Sequence, residues 1–287
     1  MPDLDEPLAE SAVLARSIAG NHCRKDPASG ESCAWYHGLW QELRLMDLAA
    51  SPRHHATFFP QALKILRHGR DSLRILVSGA ADYSILAHVW HACQKSGITA
   101  NITVTDICDT PLELNEWYAG RAGIKIRTLR ADILDYRPET PFDIICSHSF
   151  LGQFDAARRT RIVSHWHRLL AQGGAVLTTN RIRAETLHEP VKFSEPQTRD
   201  FLKTVSARAN CSGADLDRLL ERARLYARRL HAYAISESDL ISLFTDLGYR
   251  ITDQSVVNSA GSTTNQIRGL AIPAEARHAC IIATRIS

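Results

Sequence analysis

The sequence lacks the features that mark specialised protein classes. Its 287 residues include only 15 Gly, 11 Pro and 7% aromatic residues, with no repeat, which excludes collagen-like and low-complexity chains. Apolar residues make up 45% and charged residues 23%, the ordinary proportions of a globular protein. The length suits one elaborated α/β domain or two small domains, and either can bury a sizeable core.

Long hydrophobic runs and a secretory signal are also missing. The longest apolar stretch, residues 85–93, is interrupted by His88 and His91 and is far shorter than the roughly 20 residues that span a bilayer. The first residues are acidic and form no basic segment followed by an apolar one. We therefore expect no membrane contact and a cytoplasmic location.

The sequence also lacks a large excess of charge of one sign and closely spaced pairs of cysteines. The 34 Lys and Arg nearly balance the 31 Asp and Glu, and a net charge of +3 does not call for nucleic acid. The seven cysteines form no Cys-x-x-Cys pair and lie at positions 23, 33, 93, 108, 146, 211 and 280, which favours reduced thiols. The pairs His54/His55 and His165/His167 point apart, so we expect no metal site.

Alternating strands and helices fill the middle of the chain. Two helices, at 35–48 and 58–66, precede them. Strands are predicted at 74–77, 102–105, 125–129, 142–146 and 175–179, with helices at 83–93, 111–120 and 156–170. This order is typical of a doubly wound, Rossmann-like parallel sheet.

The alternation is interrupted after residue 181. Residues 194–232 read as inserted helices with one apolar stripe, after which a helix at 236–247 and strands at 249–257 and 278–285 follow, the last two joined by a loop at 258–277. We predict an N-terminal helical segment at 1–70, a possible lid, and a Rossmann-like domain at 71–287 with a helical cap at about 190–233.

Ligands of such sheets bind beyond the carboxyl ends of the strands. There the sequence places a turn containing Gly79, which allows close approach of backbone N–H groups, and Asp106, which can accept two ribose hydroxyls. Asp132 follows the third strand and can receive an adenine amino group. Each also has a plain structural reading as a turn or helix cap.

The segments SGAADYS, TVTDIC, RADILD, FDIICSHSFL and LLAQGGAVLTTNR, in this order, resemble the successive motifs of class I S-adenosylmethionine-dependent methyltransferases. The resemblance covers residues 72–182 in detail and implies a seven-stranded sheet with an antiparallel last strand. It also implies S-adenosylmethionine as cofactor and S-adenosylhomocysteine as product. The cofactor-binding residues that it implies are Ser78, Gly79, Ala80, Tyr83, Asp106, Ile107, Asp132, Ile133 and Ser147.

The glycine turn departs from the family pattern. Val77, Gly79, Ala81 and Tyr83 stand where the family has an acid and alternating glycines, and the Tyr83 ring must either lie on the cofactor or point away. His148 would face the methyl-transfer centre as a general base, or serve as a structural hydrogen-bonding residue. Candidate substrate contacts are Tyr36, Trp40, His55, Phe150 and Arg181, with Arg183 beside them.

These observations favour a methyltransferase of small-molecule biosynthesis that acts on an oxygen, nitrogen or carbon atom. Two alternatives stay open: an enzyme of the same fold that binds S-adenosylmethionine for another step, such as cyclisation, and a cofactor-free relative that binds a protein partner. The chain has no P-loop, no Gly-x-Ser-x-Gly elbow and no three-glycine dinucleotide turn. Ser-His-Ser-Phe after the fourth strand also disfavours DNA adenine methylation. The oligomeric state is not predicted.

Overall fold

A computed structural model describes residues 4, 6–25, 30–67, 69–258 and 277–286. Its helices are α1 (Leu8–His22), α2 (Ala34–Leu45), α3 (Phe58–Leu66), α4 (Ser84–Lys95), α5 (Asp109–Ala122), α6 (Ala156–Leu169), α7 (Glu195–Arg208), α8 (Ala214–Arg229) and α9 (Glu237–Thr245). Its strands are β1 (Ser72–Ser78), β2 (Thr99–Asp106), β3 (Ile126–Arg130), β4 (Phe142–His148), β5 (Leu170–Ile182), β6 (Val191–Lys192), β7 (His231–Ala232), β8 (Tyr249–Asn258) and β9 (Arg277–Arg285). Short 3-10 helices lie at Pro52–His55 and Leu151–Gln153.

Seven of these strands form one mixed sheet in the order β3-β2-β1-β4-β5-β9-β8. Strands β1 to β5 run parallel, whereas β9 is antiparallel to both β5 and β8. The strand order reverses between β1 and β4, so a crevice opens beyond their carboxyl ends. The predicted fold class, a Rossmann-like sheet with an antiparallel last strand, is confirmed.

Two apolar cores, one on each face, hold the sheet in place. On one face α3, α4 and α5 pack against β1 and β2 in a cluster that includes Phe59, Leu86 and Leu114. On the other, α6 and α9 pack against β4 and β5 around Trp166 and Phe244. Because both faces are covered, the central strands consist largely of apolar residues, which is why they were readable from the sequence.

Among the element boundaries that differ from the sequence prediction, two have a clear local cause. Strand β5 begins at Leu170 rather than at 175, since Leu170 pairs with Phe142 and the register shifts before Ile144 pairs with Ala175. Helix α2 ends at Leu45 rather than at 48, because Asp47 takes a left-handed conformation with φ of 53°. The predicted loop at 258–277 lies outside the described residues except at its ends.

A third apolar cluster joins α2 to the two helices that follow β5. It contains Leu39 and Leu43 of α2, Phe201 of α7 and Tyr226 of α8, all buried. Outside it, Glu42 of α2 accepts hydrogen bonds from Arg222 of α8 at 2.8 and 3.1 Å. We call α2, α7 and α8 the helical layer. None of the helices in the described part of the chain has the length and apolar character needed to cross a bilayer.

A buried ionic network fastens the N-terminal segment to the sheet. Two hydrogen bonds, at 2.6 and 2.7 Å, join Arg44 Nη2 of α2 to the Glu6 carboxylate, and Arg44 Nη1 donates to Asp82 at 2.7 Å. The three side chains are only 2–4% exposed. Asp82 also accepts hydrogen bonds from Trp40 Nε1 at 3.0 Å and from the Ser84 N–H at 2.7 Å. The network therefore fixes α2 against the turn between β1 and α4.

We expect Glu6→Gln to lower the free energy of unfolding by roughly 1.5–3 kcal/mol at neutral pH, because the buried Arg44 loses its charge-assisted hydrogen bonds to the Glu6 carboxylate and keeps Asp82 as its counter-charge. Glu10→Gln is the matched control, since Glu10 pairs with Arg121 at the surface, where such pairs are worth at most about 1 kcal/mol. Urea unfolding of both variants measures the difference.

The same comparison has a defined pH dependence. Burial raises the pKa of Glu6, but hydrogen bonds and charge from His88 and Arg44 outweigh this effect and lower the pKa to about 2 from the ordinary 4.5. A lowered folded-state pKa stabilises the fold above pH 4.5, and that contribution is lost as the pH falls towards 2. The difference in the free energy of unfolding between wild type and Glu6→Gln should therefore shrink as the pH falls from 4.5 to about 2. A gap that stays constant would contradict the role of the Glu6 charge.

Candidate functional site

A cavity of about 390 Å³ lies between the carboxyl ends of the strands and the helical layer. Gly79 and Asp106 line one end, and His148, Arg181 and His278 line the other. The helical layer contributes aromatic side chains, Tyr36, Trp40 and Tyr226, as the opposite wall. The cavity thus joins residues that are far apart in sequence at the edge where a ligand of this fold is expected.

Gly79 forms the turn after β1 in a conformation that favours glycine. Its φ is +74°, and a Cβ at this position would overlap the Phe150 ring. Its N–H donates to the Thr105 carbonyl of β2 at 3.0 Å. Ser149, directly before Phe150, is also left-handed, with φ of 50°, which carries the Phe150 ring over the glycine. The Phe150 ring therefore lies directly against the backbone of Gly79 at the end of β1, which leaves no room for a side chain at position 79.

Asp106 ends β2 and turns its carboxylate towards this glycine turn. The carboxylate accepts the N–H of Ala80 at 2.9 Å and the N–H of Cys108 at 2.8 Å. Burial raises the pKa of Asp106 to about 6, while the two backbone N–H groups act in the opposite direction. Each oxygen keeps further acceptor capacity, so the side chain is pre-oriented to receive hydroxyl donors. Ile107 and Ala80 line the cavity beside it.

Three of the predicted cofactor residues turn their side chains into the protein. The Tyr83 ring is fully buried, stacks on Tyr118 at 4.8 Å between ring centroids and contacts Ser11 Oγ through its hydroxyl at 3.2 Å. Ser78 Oγ accepts from Trp166 Nε1 at 3.0 Å. Ser147 Oγ lies 2.8 Å from Thr178 Oγ1.

Packing therefore engages these three side chains in the protein core, and the part of Ser78, Tyr83 and Ser147 in cofactor binding stays a prediction. Of the two possibilities for Tyr83, its ring points away from the cavity. The three residues can contribute only through the backbone.

Asp132 and Ile133 are not among the described residues that line the cavity. Asp132 accepts the Leu134 N–H at 3.0 Å and pairs with Arg158 of α6 at 2.6 Å, while Ile133 is buried in the core. The Asp132 side chain therefore caps the turn after β3, which is the structural alternative considered for it in the sequence. Contact of either residue with an adenine ring remains a prediction.

His148 lies at the end of β4 within a cluster of three imidazoles. Its ring centroid is 5.6 Å from that of His55 and 6.3 Å from that of His278, which in turn is 4.8 Å from His55. Burial and the two neighbouring histidines lower the pKa of His148 well below its ordinary value, so the ring is neutral at pH 7. A neutral, half-buried imidazole at the cavity wall can accept a proton.

The far wall of the cavity combines aromatic rings with positive charge. Tyr36 stacks on Trp40 and on Tyr226, with centroids 5.1 and 6.1 Å apart. Arg181 near the end of β5 and Arg183, the first residue after that strand, also line the cavity. Burial, together with the like charge of Arg183, lowers the pKa of Arg181 to about 9. This wall suits a planar or anionic ligand.

Sequence reasoning missed three parts of this arrangement. His278 and Tyr226 carry no motif and reach the cavity only through the pairing of β9 with β5 and the packing of α8 on α2. The fold also brings Cys23, Cys33, His37 and Cys108 together. The expectation of no metal site rested on spacing along the chain, and that premise fails here. The one available signal was Cys33 and His37, four residues apart and so on one face of a helix.

Comparison with known proteins places this geometry in context. A family model described as a methyltransferase domain matches residues 86–174. No curated protein matches the sequence.

Among solved structures, the chain is similar to 1,6-didemethyltoxoflavin-N1-methyltransferase from Burkholderia thailandensis, solved with 1,6-didemethyltoxoflavin and S-adenosylhomocysteine. The identity is 14%, the TM-score 0.53, and the match covers 99% of this chain and 92% of that one. It is also similar to an S-adenosylmethionine-dependent methyltransferase from Clostridium acetobutylicum, with 11% identity, a TM-score of 0.52 and coverage of 85% and 96%. These likenesses show a shared fold.

We expect Gly79→Ala to destabilise the protein by roughly 2–4 kcal/mol, because the new methyl group combines an unfavourable positive φ with overlap of Phe150. Gly120→Ala in α5 is the matched control. No atom lies within 4 Å of its added Cβ, so it should be neutral or stabilise by about 0.5–1 kcal/mol. Thermal unfolding compares them, and an unaffected Gly79→Ala variant would show that the turn relaxes.

Proposed function

We propose that the chain is a class I S-adenosylmethionine-dependent methyltransferase that methylates a small, anionic, planar acceptor. The methyltransferase-domain match on residues 86–174 and the shared fold support the proposal. The observation that carries the proposal is the cavity itself. It combines the turn and acid suited to the cofactor with two arginines and stacked aromatic rings. The structure just described from Burkholderia thailandensis was solved with 1,6-didemethyltoxoflavin bound.

The residues at the sheet edge fit the cofactor. The bare backbone at Gly79 and Ala80 can receive its amino-acid part, and the buried, pre-oriented Asp106 carboxylate can accept both ribose hydroxyls. Ile107, 38% exposed, offers an apolar contact, and the proposal keeps Asp132 and Ile133 as contacts of the adenine through the loop after β3. When bound, S-adenosylmethionine supplies a methyl group on a positively charged sulfur and is released as S-adenosylhomocysteine.

Arg181 and Arg183 would bind the acceptor's negative charge. Both guanidinium groups line the cavity, and a carboxylate or phenolate bound there would be attracted to both positive charges. Tyr36, Trp40 and Tyr226 would hold the acceptor's planar face. The acceptor would thus be oriented at two points, which is the main way in which positioning accelerates a transfer reaction.

His148 would receive the proton that the accepting atom releases. Burial lowers its pKa and keeps the imidazole unprotonated before the reaction, and the half-buried ring lines the cavity together with His278. His55, which neighbours both rings, would position them rather than contact the acceptor.

The rest of the chain would exclude water from this site. In the proposal, the N-terminal segment at 1–70 and the cap at about 190–233 act together as a lid, which their shared core around Leu39 and Phe201 supports. The free state of all seven cysteines favours a reducing, cytoplasmic setting.

Two alternatives from the same site are distinguished by product analysis. An enzyme that uses the cofactor without transferring its methyl group would leave S-adenosylhomocysteine absent after turnover. A cofactor-free partner-binding protein would not bind S-adenosylmethionine at all.

We expect calorimetry to show micromolar binding of S-adenosylmethionine and S-adenosylhomocysteine by the wild type and its loss in Asp106→Ala, because the variant removes the carboxylate that accepts the Ala80 N–H and would receive the ribose hydroxyls. Asp215→Ala, on the exposed surface of α8, is the control and should bind normally. Wild-type protein that binds neither compound would sink the proposed function.

Substitutions of Arg181 and His148 should affect different kinetic constants, the first mainly KM and the second mainly kcat. In a screen for S-adenosylhomocysteine release, Arg181→Gln should raise KM about tenfold or more for anionic acceptors, with kcat less affected, because it removes a binding charge. His148→Gln should lower kcat by roughly 10²–10⁴.

The exposed Arg250→Gln on β8 is the control and should change neither constant. Equal losses for neutral and anionic acceptors in Arg181→Gln would contradict the charge recognition.

A further inference from the structure

Four metal-ligating side chains converge beneath the cavity. Cys23 follows α1, Cys33 precedes α2, His37 lies in the first turn of α2, and Cys108 precedes α5. Their sulfur atoms and one imidazole nitrogen each all lie within 4.8 Å of one another. Three separate parts of the chain thus supply one compact group of donors.

The spacing of these atoms matches a tetrahedral metal site. Cys33 Sγ lies 3.5 Å from Cys108 Sγ, and His37 Nδ1 lies 3.3 Å from Cys23 Sγ and 3.4 Å from Cys108 Sγ. With zinc–sulfur bonds of about 2.3 Å and a zinc–nitrogen bond of about 2.0 Å, the corners of a tetrahedron are roughly 3.5–3.8 Å apart. Small shifts therefore bring all four donors onto one ion.

We propose that Cys23, Cys33, His37 and Cys108 bind one structural Zn²⁺ ion. Three thiolates and an imidazole are soft and borderline donors, which suit zinc and exclude the oxygen-seeking Mg²⁺ and Ca²⁺. Four protein ligands fill a tetrahedral shell and leave no position for a substrate, so the ion does not take part in chemistry.

The surroundings of the four donors support a metal rather than a disulfide. The buried Thr110 hydroxyl lies 3.2 Å from Cys23 Sγ, an outer contact of the kind that orients metal-bound thiolates. Cys108 and Thr110 lie at the N-terminal end of α5, where the helix dipole favours negative sulfur. A Cys33–Cys108 disulfide would use two sulfurs and give no role to the approach of Cys23 and His37, whereas a metal uses all four.

The ion would fasten the N-terminal helices to the residue that is expected to hold the ribose. Cys108 is two residues after Asp106, and its N–H donates to the Asp106 carboxylate at 2.8 Å. Cys33, His37 and Cys108 also line the cavity. Only this link to the cofactor rests on the proposed function, whereas metal binding itself does not.

The first test is the metal content of the full-length protein, purified without chelators, by inductively coupled plasma mass spectrometry. We expect one zinc per chain in the wild type and its loss in Cys23→Ser and Cys33→Ser. Cys211→Ser, which is exposed, and Cys93→Ser, which is buried elsewhere, are the controls and should keep it.

Zinc-free wild type, or zinc lost equally in the controls, would overturn the proposal. So would iron in place of zinc, or a Cys33–Cys108 disulfide in non-reducing peptide mapping.

Cobalt replacement keeps the proposal falsifiable if the serine variants fold poorly. Wild-type protein depleted of metal and supplied with Co²⁺ should give the thiolate charge-transfer and tetrahedral ligand-field absorption of a sulfur-rich site. Absence of these bands in folded wild-type protein would contradict the ligand set.

Hydrogen exchange then tests the structural role of the ion. Removal of the metal should cost protection at the end of α1, the start of α2 and the loop after β2, with α9 unchanged. Equal loss of protection everywhere, or no loss at these three places, would overturn the fastening role. Because zinc is measured without S-adenosylmethionine, a chain that holds zinc but binds no cofactor would refute only the proposed function.

Discussion

The buried pairing of Arg44 with Glu6 and Asp82 is the constraint on which the site depends. Three charges with only 2–4% exposure are tolerable only while each has its partners, since an unpaired charge in the interior is strongly unfavourable. Asp82 belongs to the glycine turn, Arg44 to α2, and Glu6 to the first residues of the chain. The position of the turn is thereby coupled to the position of the helices that cover it.

This coupling explains why the cavity has two chemically different ends. The sheet alone supplies Gly79, Asp106 and His148, which lie on the edge common to the fold. The helical layer supplies Tyr36, Trp40 and Tyr226, and its core is separate from the two cores of the sheet. The sheet edge and the helical layer therefore contribute different kinds of side chain to the same cavity.

Sequence reasoning recovered what is written in local periodicity. Strands such as β4, apolar on both faces, and helices such as α3, predicted at its observed bounds, carry their own signal. The order of motifs also placed Gly79 and Asp106 correctly at one edge.

Sequence reasoning could not predict the direction of side chains whose orientation depends on tertiary packing. Ser78, Tyr83 and Ser147 follow the motif, yet Trp166, Tyr118 and Thr178 draw their side chains into the core. His278 and the cysteine cluster were hidden, because sequence separations of 85 residues between Cys23 and Cys108 and 223 residues between His55 and His278 have no local pattern.

Because β9 pairs with β5, the parts of the cavity wall can form only in a certain order as the chain folds. His278 and its neighbours enter the cavity only when the last strand inserts between β5 and β8, both of which are synthesised earlier. The first segment, through Glu6, must wait for Asp82 in the same way. A nascent chain can thus build the central parallel strands, but His278 reaches the cavity wall only after β9 has been synthesised and has paired with β5.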